Sequence, residues 1–131
     1  MRQAARQVVS VALWCVYLAG LLPVLVVFIA KSDPRLDVHN PRDVHATQTG
    51  LRKRAYGAHL NGLEAFPFFA AAVMVATLAG VPQSLLDWVA GGWLAVRIAY
   101  TAAYLLDLAR IRPALWAISV IISSAIFLLP A

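Results

Sequence analysis

The chain has 131 residues and a net charge of +5; 62% of its residues are apolar and only 13% are charged. A soluble domain is about half apolar and about a quarter charged, so this composition excludes a disordered chain and points to a bilayer. The single cysteine, Cys15, excludes an internal disulfide and a cysteine-based zinc site.

The basic balance does not indicate nucleic acid. Lys31, Arg35, Arg42, Arg52, Lys53 and Arg54 gather in the longest polar segment, without the interleaved aromatics on which single strands stack. Basic loops beside apolar runs read as topology signals.

A bilayer core about 30 Å thick takes about 20 helical residues to cross. Four segments meet that need, with helices predicted over roughly 8–30, 50–79, 83–107 and 112–130. The first, Val8 to Ala30, carries no charge. Arg2 and Arg6 precede it, but the run is longer than the apolar core of a signal peptide, which favours a true span. Segment 31–50 is the one long loop, where Asp33-Pro34 and Asn40-Pro41 favour turns over helix. His39 and His45 lie there without metal-site spacing and read as solvated. The second helix starts before its apolar run, so Arg54, His59, Asn61 and Glu64 lie on it. Gly80-Val81-Pro82 marks a tight turn to the third helix. Asp107 to Arg112 is the short turn to the fourth. Pro23 and Pro67 predict kinks. The positive-inside rule places the long loop and the 107–112 turn in the cytoplasm and both termini on the other side. The expected fold is a single all-α integral membrane domain, a four-transmembrane-helix bundle.

Ionisable residues at membrane depth face a protein interior or a water-filled cavity. At about 100° per residue, Asn61 and Glu64 fall about 20° and 80° from Arg54, on one stripe. On the third helix Arg97, Tyr100, Tyr104 and Asp107 share a stripe in the same way. Glu64 and Arg97 each lie about 15 Å in from the loop side of their helices, so they meet at one depth and either pair or bracket a polar ligand. A buried Glu–Arg pair can also simply fasten two helices, with Asn61 as interhelical glue. The surplus of donors (Asn61, Arg54, Tyr100, Tyr104 and Arg112) suits an anionic ligand carrying carboxylates. His59 falls on another face and reads as a helix-contact residue, across an oligomer interface. Cys15 and Trp116 read as packing residues, and Trp88 as an interfacial belt residue.

These residues resemble a known family. Asn40-Pro41-Arg42, Thr49-Gly50, Arg54-Ala55, His59-Leu60-Asn61, Glu64-Ala65-Phe66-Pro67, Arg97-x-x-Tyr100-x-x-x-Tyr104 and Arg112-x-x-x-Trp116 are similar to motifs of the membrane-associated proteins in eicosanoid and glutathione metabolism, most of all the short bacterial members and the microsomal glutathione transferases. The resemblance implies four transmembrane helices per protomer, a homotrimer in a bacterial inner membrane, and glutathione bound between protomers in the cytoplasmic half. It implies that Asn61 and Glu64 bind glutathione, that Arg97, Tyr100 and Tyr104 line the site, and that Arg112 stabilises the thiolate with Tyr104 as a hydrogen-bond donor; Arg54, one turn further toward the cytoplasm, is the substitute for an arginine absent at Gly57. Lipophilic electrophiles would arrive from the lipid. The chain departs from the family pattern at Gly57, where many catalytic members carry Arg, and at Pro113, where Ser is frequent. The Tyr104-to-Arg112 spacing also differs from some members. Glutathione conjugation, peroxide reduction, and non-catalytic binding of a lipid or partner all stay open, because a fold does not fix its chemistry. A pore is the weaker alternative, since the polar stripes occupy one side of the membrane only.

Overall fold

The computed structural model describes residues 9–130. They form five helices: α1 Val11–Lys31, α2 Pro41–Thr47, α3 Gly50–Leu78, α4 Gln83–Leu105 and α5 Arg112–Leu128. No strand occurs among the described residues. Arg2, Arg6 and Val8, invoked for the first span and its orientation, lie outside them.

The apolar runs dictate the long helices, and their ends are set locally. Ser10 caps α1 through its hydroxyl oxygen, which accepts from the Leu13 N–H. A second cap comes from a neighbouring helix: the Asp87 carboxylate on α4 accepts from the Ala12 N–H at 2.8 Å. The turn after α3 places Gly80 at φ 77°, with Val81 N–H donating to the Ala76 carbonyl and Gly80 N–H to Thr77. This is the Schellman arrangement, in which glycine takes the left-handed position without strain. The turn after α4 is built the same way, with Asp107 at φ 61° in the glycine place. So α4 ends at Leu105, and Asp107 reaches its stripe from a turn, not from the helix predicted to 107.

Two regions depart from the expectations. Pro41 starts a helix instead of a turn: Asn40 stands at the cap position and Pro41 at the first helical residue, where no N–H is needed and a fixed φ helps. His45 is not solvated. It is 5% exposed, its ring stacks on Tyr56 at 4.3 Å, and Nδ1–H donates to the Gln48 side-chain oxygen. Gln48 in turn donates to the Ala30 carbonyl and to Asp33. The long loop is thus tied down on the end of α1.

Helices α3 and α4 form the centre, each packed on both α1 and α5, with α1 and α5 on opposite flanks. One end of the bundle holds the start of α1, the α3–α4 turn and the end of α5. The other holds the long loop and the 107–112 turn. The larger apolar cluster sits toward the first end and is rich in alanine: Ala12, Ala19, Ala72, Ala76 and Ala90 let backbones approach closely. Phe69 and Trp93 stack face to face within it at 3.7 Å. Large apolar side chains such as Trp14, Phe28, Leu78 and Trp88 face outward, as a lipid-facing surface requires. By length and apolar character α1 and α3 pass as membrane spans. The 17-residue α5 is shorter than about 20 residues, and α4 carries Gln83, Asp87 and Arg97. Helices α1 and α3 run through Pro23 and Pro67 unbroken.

Candidate functional site

At the loop end of the bundle, α1 and α4 present their C-terminal carbonyls. Two arginines of α3 meet them, two residues apart. Arg52 donates from Nη2 to the Ser32 carbonyl at 3.2 Å, and Arg54 donates from Nε to the Leu105 carbonyl at 3.1 Å. Cations are favoured at such ends by the helix dipole and the unpaired carbonyls. Arg54 also lies 3.9 Å from Asp107. This half-buried guanidinium therefore fastens the turn after α4, and it stands apart from the cavity described next.

Deeper in, α3 and α4 exchange one hydrogen bond between side chains among the described residues. Arg97 donates from Nη2 to the Asn61 side-chain oxygen at 2.7 Å. The anticipated Glu64–Arg97 ion pair does not form among the described residues. Asn61 precedes Glu64 by nearly one turn and takes the arginine instead, and Glu64 is left exposed on the outer face of α3. Arg97 itself is 3% exposed, enclosed by the rings of Tyr100 at 4.5 Å and Trp93 at 5.9 Å. Its one side-chain hydrogen-bond partner among the described residues is Asn61.

Tyr100 continues the row: its ring meets Tyr104 edge to face at 5.8 Å, and Arg112 lies over the Tyr104 ring at 4.3 Å. Asn61, Arg97, Tyr100, Tyr104 and Arg112 thus form one connected line from mid-helix to the 107–112 turn. Gly57 explains where Tyr104 sits. A Cβ at residue 57 would lie 2.5 Å from the Tyr104 hydroxyl oxygen and 2.9 Å from its ring. The missing side chain is filled by Tyr104.

A cavity of about 240 Å³ opens beside this line, lined by Asn61, Glu64, Ala65, Phe68, Trp93, Trp116, Ser119, Val120 and Ser123. Of the anticipated residues only Asn61 and Glu64 reach it. Trp116, read as a packing residue, is half exposed at its wall. Ser119 and Ser123 were not anticipated, yet a signal existed: residues 116, 119 and 123 fall on one face of a largely apolar helix. Trp93 fixes this wall by donating from Nε1 to the Ser119 carbonyl at 3.0 Å. His59 is half-buried and is a helix-contact residue: its Nδ1–H donates to the Pro23 carbonyl of α1 at 2.8 Å.

Chemically, the cavity offers a carboxylate for a cationic amine, an amide held by arginine, hydroxyls and an indole. No cluster able to hold a metal ion occurs among the described residues. No curated protein matches this chain. No solved structure matches it either. The MAPEG family model, by contrast, covers residues 11–131, and the chain belongs to that family of membrane proteins.

Proposed function

We propose that the protein is a homotrimeric, four-span membrane protein that binds glutathione between protomers and transfers its thiolate to lipophilic electrophiles. The observation that carries this reading is the cavity between α3, α4 and α5 with Asn61 and Glu64 on its wall. It is smaller than a typical ligand pocket of about 300–1,000 Å³, and it opens sideways out of the bundle. A carboxylate on the outer face of a spanning helix is costly in lipid, so a neighbouring protomer covers Glu64 and completes the pocket.

In this reading Glu64 pairs with the glutathione amino group and Asn61 binds its amide backbone. Tyr100 stands behind the cavity and packs on Arg97. Arg97 acts through Asn61, and Arg54 through the turn that carries Arg112. Glutathione loses its thiol proton to solvent near the Arg112 guanidinium, which favours the thiolate over a thiol of pKa about 8.5. The sulfur lone pair forms the bond to the electrophilic carbon. Electron density passes to the leaving group or to the atom that is then protonated, within reach of the Tyr104 hydroxyl. The loop end faces the cytoplasm, from which glutathione enters, and the acceptor comes from the bilayer.

The test is equilibrium binding of glutathione to the detergent-purified protein. Saturable binding that is lost in Glu64→Gln and weakened in Asn61→Ala supports the site. No binding at millimolar glutathione by folded protein overturns it. A second reading, binding without turnover, is favoured by Arg112 lying on the Tyr104 ring and by the absence of a side chain at Gly57. Under that reading glutathione binds, and no lipophilic electrophile is conjugated.

A further inference from the structure

Arg97 is a charged group inside an apolar bundle, and only part of its guanidinium is accounted for. Nη2 donates to Asn61. The two flanking rings take its faces. Nη1 is fully buried and has no hydrogen-bond partner among the described residues. A buried donor without a partner costs about 1–3 kcal/mol, and more when charged.

An acceptor without its usual helical donor lies on α1, which packs against α4. Pro23 sits inside α1 and has no N–H, so the Ala19 carbonyl one turn earlier lacks its α-helical donor. Ala19 is 4% exposed, so bulk water does not reach it. No side chain donates to that carbonyl among the described residues.

Both residues line one cavity. Ala19, Leu22, Pro23 and Val26 of α1, Ala58 and Gly62 of α3, and Trp93, Arg97 and Thr101 of α4 enclose a space of about 10 Å³. Gly62 allows the enclosure: a Cβ there would lie 2.8 Å from Pro23 Cβ, so the two helices touch at this level. The Thr101 hydroxyl donates to the Arg97 carbonyl and keeps a lone pair to offer. A cavity needs about 10–15 Å³ and two to four polar partners to hold a single water, and this one stands at that threshold. It is too small for phosphate or a carboxylate.

We propose that one buried water occupies this cavity, accepting from Arg97 Nη1 and donating to the Ala19 carbonyl that Pro23 leaves open. Water is among the groups that satisfy freed carbonyls at proline in spanning helices. The water links α1 to α4 and completes the support of the arginine that holds Asn61. This inference is independent of glutathione binding.

Nuclear magnetic resonance of the full chain in lipid nanodiscs tests it, with water as the probe. In protein labelled with 15N-arginine, the Arg97 signals are assigned by their loss in Arg97→Lys. The expected result is a cross-peak between the Arg97 Nη1 protons and water. In protein labelled with 13C-alanine, magnetisation passes from water to the Ala19 carbonyl. Pro23→Ala gives that carbonyl a backbone N–H, so the transfer from water to Ala19 is lost while helix content is kept. A resolved Arg97 with no water contact in the wild type overturns the proposal, as does a dry Ala19 carbonyl. If Pro23→Ala folds and the Ala19 contact persists unchanged, the bridge is also overturned. If it does not fold, the two wild-type measurements decide.

Discussion

The two ends of the bundle are held together by different physics. Toward the α3–α4 turn, helices meet through alanines, Phe69 stacked on Trp93, and the fully buried Leu86. The charged side chain of this end, Asp87, serves the α1 N-terminus. Toward the long loop the apolar cluster shrinks to Val26, Ala30, Ala55 and Ala58, and polar contacts take over. Arg52 and Arg54 close two helix C-termini, Arg97 holds Asn61, and Gln48 ties the loop to α1. Packing alone fixes helices without regard to chemistry. Directional contacts also fix side-chain atoms, which a ligand site needs. The proposed site lies where the second mode begins.

The strongest break of this comparison is a substitution in the packed end. Leu86→Ala removes a fully buried side chain and should cost about 2–5 kcal/mol of stability, while glutathione affinity changes by less than about twofold. Unfolding in denaturing detergent and binding to the folded fraction measure the two effects. A parallel loss of affinity would show that the ends are not separable.

Next in size is the Arg97–Asn61 contact. A hydrogen bond to a charged group is worth about 1.5–3 kcal/mol, or about 10–150-fold in affinity. Asn61→Ala and Arg97→Ala should each lower glutathione affinity within that range. If Arg97 acts by positioning Asn61, the double variant binds no worse than Asn61→Ala alone. Additive losses would mean that Arg97 reaches the ligand by another route or that each change simply loosens the fold.

How much of this was legible in sequence follows the same division. The four apolar runs gave the long helices, because burial in lipid depends on composition and length. The shared stripes brought Asn61, Arg97, Tyr100 and Tyr104 together, because helical periodicity fixes which residues share a face. The choice of Asn61 over Glu64 as partner of Arg97 was not legible, because both fall on the same stripe within one turn. The burial of His45 was not legible either. It depends on Gln48 reaching the Ala30 carbonyl, a contact between segments with no common period. Pro41 was misread because proline both ends helices and begins them, and the difference lies in the residues after it.

A smaller effect comes from Gly57. Gly57→Ala puts a Cβ where the Tyr104 hydroxyl sits, 2.5 Å away. Overpacking of this kind costs about 1–3 kcal/mol, less where a ring swings aside. The Tyr104 ring should leave Gly57 and alter its contact with Arg112. Glutathione affinity then holds within about threefold while any conjugation rate falls. Equal losses in binding and rate would instead place Gly57 in ligand contact.

The smallest predicted effect lies in the loop. Asp33 is nearly buried. Its carboxylate accepts from the Arg35 backbone and guanidinium, at 3.0 and 3.1 Å on one oxygen and 3.0 Å on the other, with Gln48 at 3.2 Å. Hydrogen bonds from the Arg35 side chain first, then its backbone, hold the Asp33 carboxyl well below the ordinary carboxylate range. A carboxyl whose folded pKa lies below its unfolded value stabilises the fold above the unfolded pKa and loses that contribution as pH falls toward the folded one. The loop should therefore loosen below about pH 4, where an unfolded aspartate begins to protonate. Asp33→Asn keeps the shape, removes the titration and flattens this acid arm. Hydrogen exchange of the Gln48 and Arg35 backbone amides, followed from pH 6 to pH 3 with intrinsic rates corrected, reports it directly. Unchanged protection of both amides across that range would mean that packing of His45 on Tyr56 holds the loop without the carboxylate.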